Sequence, residues 1–287
     1  MTPPRITATN PATGSHIKYG QNELNLEVYV NEPSNCKISK SDKTYDSMET
    51  QLSCDSLIEN YTIYGLKCKT QLTNINDTSQ YYIRCQDLSS NHNAMSESFV
   101  YSISKTHSPL EISRTKPQDG DVIIAGSDPF SLDLKIETTG GAGNNTICEW
   151  KETNRGYGDS FPRGSNNAYS YRLTTALNGD YNMNFMCEDV AGNKAEKNAS
   201  FELRLDTNGP GIARIFNDGG LKVITIEKSE CRYSFTPNLL FENLTVMESS
   251  DGREHLADWK LNTYYIQCED EFGNRGGLLK VRPYDII

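Results

Sequence analysis

Tyr264-Tyr265-Ile266-Gln267-Cys268-Glu269-Asp270-Glu271-Phe272-Gly273-Asn274 is the stretch that decides how this chain folds. Its first half alternates, so an extended backbone places Tyr264, Ile266 and Cys268 on one face. Gly273-Asn274 then supplies a turn, and Leu279-Lys280-Val281 a second strand, so the unit reads as a hairpin. The same pattern occurs twice upstream, as Met183-Asn184-Phe185-Met186-Cys187-Glu188-Asp189-Val190-Ala191-Gly192-Asn193 and as Tyr81-Tyr82-Ile83-Arg84-Cys85-Gln86-Asp87-Leu88-Ser89-Ser90-Asn91. Strand, Cys, one residue, Asp, three residues, Asn is the shared core.

Working outward, each hairpin is preceded by a second matching block. An apolar alternation (Leu24, Leu26, Val28, Val30; Phe130, Leu132, Leu134, Ile136; Leu221, Val223) leads to another Cys that opens a short strand. Those strands are Cys36-Lys37-Ile38-Ser39, Cys148-Glu149-Trp150-Lys151 and Cys231-Arg232-Tyr233-Ser234. Short strands with regular turn signals, recurring every ~80–105 residues, predict an all-β array, and helical periodicity is nearly absent. The repeat also pairs the cysteines: Cys36 with Cys85, Cys148 with Cys187 and Cys231 with Cys268, leaving Cys54 with Cys68 as an extra clip in the first copy. No CxxC occurs, and His16, His92, His107 and His255 lie far from zinc-ligand spacing. Four disulfides persist only in oxidising surroundings, which predicts an extracellular or cell-surface location.

These blocks, with Tyr45-Asp46-Ser47-Met48, resemble the immunoglobulin-like and fibronectin-III-like repeats of bacterial and archaeal secreted or cell-surface proteins. The resemblance covers nearly the whole chain. It implies three tandem immunoglobulin-like β-sandwich domains, each with an internal disulfide, at 1–107, 108–208 and 209–287. Its motifs are core and turn residues, so they speak to fold and compartment and little to activity. The chain departs from antibody domains in one respect. The first Cys follows the long second strand, so each disulfide is expected to join the third and sixth strands within one sheet rather than bridge two sheets.

Composition bounds the function. With 28 basic and 38 acidic residues the net charge is −10, against a phosphate-backbone partner, which needs clustered Lys and Arg. No apolar run approaches the ~20 residues of a membrane span. MTPPRITATNPATG carries no signal-peptide core, so the chain is expected to be a fragment lacking its export signal. There is no GxSxG, no HExxH, no phosphate-cradling glycine loop and no unpaired Cys nucleophile, so no enzyme is expected. Asp87, Asp189 and Asp270, with Glu188, Glu269 and Glu271 near them, are read as turn acceptors before calcium ligands. A calcium site wants six or more oxygens and only two or three can be placed. Calcium is therefore the one cofactor entertained.

Five N-x-S/T sequons (Asn60, Asn76, Asn144, Asn198, Asn243) mark glycosylation positions, at about the frequency chance allows. Two insertions are expected, 49–78 with its clip and 153–171. The second is rich in Tyr, Ser, Gly and Asn, a recognition-loop composition, with Trp150, Arg155, Tyr157 and Arg163 as expected anchors. The leading expectation is a non-catalytic structural or adhesive rod, partnered by other surface proteins, by glycans or by itself in a surface layer or filament. The alternative is an accessory region of a larger secreted enzyme.

Overall fold

The computed structural model describes residues 2–143, 145–237 and 239–286. The first repeat folds into β1 (Ile6–Asn10), β2 (Ser15–Ile17), β3 (Leu24–Val30), β4 (Ser34–Ser39), β5 (Thr50–Gln51), β6 (Ser53–Cys54), β7 (Leu66–Leu72), β8 (Thr78–Asp87) and β9 (Phe99–Lys105). The second gives β10 (Glu111–Lys116), β11 (Val122–Ala125), β12 (Phe130–Thr139), β13 (Ile147–Glu152), β14 (Gly158–Ser160), β15 (Ala168–Ala176), β16 (Gly179–Glu188) and β17 (Lys194–Leu205). The third gives β18 (Ile212–Asn217), β19 (Leu221–Thr225), β20 (Ser229–Ser234), β21 (Thr245–Val246), β22 (Glu248–Ser249), β23 (Glu254–Ala257), β24 (Tyr264–Asp270) and β25 (Leu279–Val281).

These strands make two sheets per repeat. The orders are β1-β3-β7-β6 with β2-β9-β8-β4-β5, then β10-β12-β15 with β11-β17-β16-β13-β14, then β18-β19-β23-β22 with β21-β20-β24-β25. Lettered along each repeat, the first and third follow the ABED and CFG arrangement of immunoglobulin-like sandwiches, and the second has A, B and E with no D strand among the described residues. In the first two repeats a short strand also runs parallel to the last one, β2 on β9 and β11 on β17. The 49–78 stretch, expected as an insertion, is largely framework: β7 lies between β3 and β6 in its sheet. Its strands escaped notice because β5 and β6 have two residues each and β7 carries Lys67 and Lys69 between its buried positions.

By its contacts the chain divides into two compact units. One comprises Met1–Gln118, Leu134–Tyr171 and Asn182–Ala199. There, alternation becomes a core in which Leu26, Val28 and Val30 from one sheet meet Ile38, Ile83, Tyr101 and Ile103 from the other. Each such buried aliphatic side chain contributes about 1.5–3 kcal/mol. The other unit comprises Asp119–Asp133, Arg172–Tyr181 and Ser200–Ile287. Its core includes Leu221, Val223, Ala257, Tyr264, Ile266 and Val281.

The disulfides are Cys36–Cys85, Cys54–Cys68, Cys148–Cys187 and Cys231–Cys268, and no cysteine is free. Three of them join directly opposed residues on the third and sixth strands lettered in this way, β4 to β8, β13 to β16 and β20 to β24. The carbonyls explain why these positions accept a bond. Cys36 O takes Leu52 N–H and Cys85 O takes Met95 N–H, each on the strand's outer side. The two cysteines therefore form a non-hydrogen-bonded pair, the class in which opposed side chains come closest. Cys231 and Cys268 repeat the pattern, their carbonyls accepting from Met247 and Gly276.

Candidate functional site

The repeated hairpin is the most elaborate polar feature of the chain. Asp189 Oδ1 accepts from Ala191 N (2.9 Å) and Asn193 N (2.9 Å), and Oδ2 from Asn193 Nδ2 (2.7 Å) and Ala142 N (2.7 Å). Asp270 does the same with Phe272 N (2.8 Å), Asn274 N (2.8 Å) and Asn274 Nδ2 (2.9 Å). Asp and Asn thus clasp each other around a turn. In the first repeat Asp87 is clasped by Asn93, through its N–H at 2.9 Å and Nδ2 at 2.8 Å. Asn91, the residue aligned by spacing, instead donates its N–H to Ser89 Oγ and is exposed. Two extra residues lengthen this turn, and spacing to the following strand hides them, because Asn91 precedes Phe99 by the same interval as Asn193 precedes Phe201.

All three carboxylates are buried, which their donors make tolerable. Asp87 is held below the ordinary 3.8, first by the Asn93 side chain. Burial pushes Asp189 up, but the bonds from Asn193, Ala142 and Ala191 outweigh it and leave it below 3.8 as well. Stability from these two is present above that value and is lost as pH falls through the folded pKa values. Their acidic neighbours face elsewhere: Glu188 pairs with Lys194 at 3.3 Å and Glu269 with Arg275. Cys36, Cys54 and Cys68 are the metal-type cluster found among the described residues, and as disulfide sulfurs they offer no thiolate.

The 153–171 segment is built on Glu152, whose buried carboxylate accepts from Asn154 N (3.2 Å), Asn182 N (3.1 Å) and Arg155 N. The chain then turns into β14, which pairs with β13. Trp150 is 3% exposed, with Tyr157 edge-on at 5.7 Å and Tyr171 at 5.1 Å between ring centres. Of the four expected anchors, then, Trp150 is a core residue that supports the loop, Tyr157 is half-buried against it, and Arg155 and Arg163 are exposed.

A second protruding surface went unnoticed in the sequence. Between β6 and β7, above the Cys54–Cys68 clip, Leu57, Tyr61, Ile63 and Tyr64 are exposed, Ile63 at 91%. The loop is nonetheless ordered by its own bonds. Asp55 accepts from Leu57 N (3.0 Å) and Asn60 Nδ2 (2.7 Å), Thr62 and Gly65 exchange backbone bonds at 3.0 Å, and Tyr64 packs on Tyr29. Gly65 is required: it has φ 118°, and a Cβ there would sit 2.3 Å from Val30 O. The signal was a cluster of apolar and aromatic residues, Leu57, Ile58, Tyr61, Ile63 and Tyr64, within eight positions of a segment otherwise polar. Among the sequons, Asn60, Asn76, Asn198 and Asn243 are exposed, and Asn144 lies outside the described residues.

No family model matches the chain. No curated protein matches it either. Solved structures do. Fibronectin(III)-like modules of Clostridium thermocellum CbhA share 14% identity at a TM-score of 0.43, over 70% of this chain and 94% of that one. The FN1-FN3 domains of chicken CNTN1 share 11% identity at 0.39, over 93% and 98%. A 1.5-MDa bacterial ice-binding adhesin shares 13% at 0.37, over 95% and 94%. The strand order itself sets the class: the chain is an all-β protein of immunoglobulin-like and fibronectin-III-like character, stapled by disulfides. Among the described residues no helix is long and apolar enough to cross a membrane.

Proposed function

We propose that the chain is three tandem modules, at 1–107, 108–208 and 209–287, forming a non-catalytic adhesive or structural segment of an extracellular or cell-surface protein. The observation that carries this reading is a division of labour. Residues that repeat (the Asp–Asn clasps, the strand-joining cysteines, the alternating core) are spent on framework, whereas residues that do not repeat protrude. Ile63, 91% exposed on a disulfide-clipped loop, is the foremost of these. Large apolar side chains held rigidly in solvent are what a binding surface offers a partner. Arg155, Tyr157 and Arg163, supported by Trp150, form a second such surface.

Two contacts support short, restrained junctions. Asn193 Oδ1 accepts from Tyr19 N at 2.8 Å, and Asn274 Nδ2 donates to Asp206 O at 3.1 Å, so the hairpin clasps also hold preceding segments. Oxidising surroundings follow from four disulfides with no free thiol. The partners proposed are other surface proteins or glycans. Leu57→Ser with Ile63→Ser is expected to reduce attachment of the purified chain to the producing cell's surface about 10-fold, equivalent to 1.4 kcal/mol, at unchanged thermal stability. Undiminished attachment by that variant, and by one with residues 153–168 shortened to a tight turn, would refute adhesion through these loops.

A further inference from the structure

Two disulfides meet inside the first sandwich. Cys68 Sγ of the clip lies 3.6 Å from Cys36 Sγ, and the sulfurs of Cys36, Cys54 and Cys68 all fall within 4.8 Å of one another. Neither Cys68 nor Cys36 carries a sulfur-bound hydrogen, so the contact is sulfur on sulfur. Exposure is graded along the cluster: Cys54 is half-buried, Cys68 is 1% exposed, and Cys36 and Cys85 are fully buried. Cys148, Cys187, Cys231 and Cys268 are each at most 3% exposed, and none belongs to such a cluster.

We propose that Cys54 is a modification site for external thiols, and that the Cys68 thiolate it releases hands the exchange on to Cys36. In the first step a thiolate attacks Cys54 Sγ, the outermost sulfur. A mixed disulfide forms there, the Cys54–Cys68 bond breaks, and Cys68 leaves with the electron pair. A thiolate in apolar surroundings is poorly solvated, hence basic and nucleophilic. Cys68 then attacks Cys36 Sγ across the 3.6 Å contact, forming Cys36–Cys68 and expelling Cys85, which takes a proton. One thiol has been consumed and two disulfides remain, so no oxidant or reductant beyond that thiol is needed. The product links the two sheets and frees the 55–65 loop from its clip. This inference holds whether or not the loop is adhesive.

The test is to incubate the native chain with excess reduced glutathione at about pH 8, where thiolate is abundant. Acid quenching, alkylation and mapping of non-reduced peptides follow. Glutathione on Cys54, a Cys36–Cys68 peptide and alkylated Cys85 are expected together. Glutathione on Cys54 with Cys68 alkylated and Cys36–Cys85 intact would overturn the hand-over. No adduct at Cys54, or equal adducts on the other repeats, would overturn the site. Cys54→Ala removes the first step and leaves Cys68 as a resident thiol, so Cys36–Cys68 with free Cys85 is expected without added thiol. Persistence of Cys36–Cys85 in that variant would refute the transfer, and should it fail to fold, the mapping on the native chain decides.

Discussion

The first and third repeats share a strand order but fill one position differently. In the first, Cys68 on β7 stands opposite Val28 on one side and Cys54 on the other, and its sulfur rests on the Cys36–Cys85 disulfide. In the third, His255 on β23 stands opposite Val223 and Ser249 in the same register. His255 is 1% exposed, and its Nε2 lies 3.4 Å from both Thr225 Oγ1 and Ser229 Oγ, the latter 3.9 Å from Cys231 Sγ. The first repeat thus backs its strand-joining disulfide with a second covalent bond, and the third with a polar trio of buried Thr225 and His255 and half-buried Ser229. Among the described residues the third repeat also lacks a short strand parallel to its last one, as β2 is to β9. The same fold tolerates either solution because the position lies between the sheets, where a group of moderate size fills the space; the imidazole does so with Nδ1 buried and unpartnered.

The largest expected effect comes from removing the third repeat's only bond. Cys231→Ala with Cys268→Ala opens a crosslink of separation 37 and is expected to destabilise that region by about 4 kcal/mol. Cys54→Ala with Cys68→Ala opens a separation of 14, costs about 3 kcal/mol, and leaves Cys36–Cys85 in place. Denaturant unfolding with limited proteolysis to locate the opened region would show the difference. Prompt cleavage within β8 of the Cys54/Cys68 variant would mean that the clip, not the Cys36–Cys85 bond, holds the first repeat.

The comparison can also be reversed by design. Ser249→Cys with His255→Cys places cysteines where Cys54 and Cys68 stand in the first repeat. Oxidation of that pair is expected to raise stability by about 2 kcal/mol, less than the native clip because the loop closed is shorter. Thiol titration and thermal unfolding check it. Two free thiols after oxidation would show that register alone does not fix the geometry.

A smaller difference sits at aligned tyrosines. Tyr264 hydroxyl donates to Asp258 O at 2.6 Å and accepts from Lys260 N at 2.7 Å, tying down the turn before β24. In the second repeat the aligned position is Met183, and Tyr181, two residues earlier in the strand, makes the equivalent pair of bonds with Leu177. Tyr81 occupies the same place in the first repeat, yet its buried hydroxyl has no partner. Tyr264→Phe is expected to cost about 1.5 kcal/mol, while Tyr81→Phe leaves the denaturant midpoint unchanged or slightly raised. Equal losses at both sites would show that ring packing, not the hydroxyl, is what matters.

Tyr81 and Tyr264 also show what could be read beforehand. Both open the same alternating strand before a Cys, so the strand, its buried face and its disulfide were legible from spacing. Whether a hydroxyl finds carbonyls depends on the preceding turn, which has no repeating signature. Trp150 was expected as a loop anchor, although period two from Cys148 already places it on the buried face of its strand. The 55–65 tip was missed because its spacing is ambiguous: Leu57, Tyr61 and Tyr64 match a helical period, Tyr61 and Ile63 a strand's, and the segment forms neither a long helix nor a strand. His255 drew attention only through its distance from any zinc spacing. Its match to Cys68 exists in strand register and not in linear sequence.

That match yields the smallest expected effect, a pH dependence confined to the third repeat. Burial pushes the His255 imidazole below its usual 6.5, and the charge of Asp251 offsets this only in part. The neutral ring is therefore the form the fold holds. For a base with a depressed folded value, the contribution to stability is complete above the unfolded pKa. It declines as pH falls from 6.5 toward the folded value, since the unfolded chain takes up the proton first. Cys68 has no counterpart to this, being a disulfide sulfur that does not titrate. Unfolding of the third repeat should thus become easier on acidification from pH 7 to 5.5, with the first repeat unmoved over that range. The Ser249→Cys, His255→Cys variant should lose the slope while gaining the bond. A slope that survives the replacement would have to come from another group, and the buried imidazole would then be a packing element and nothing more.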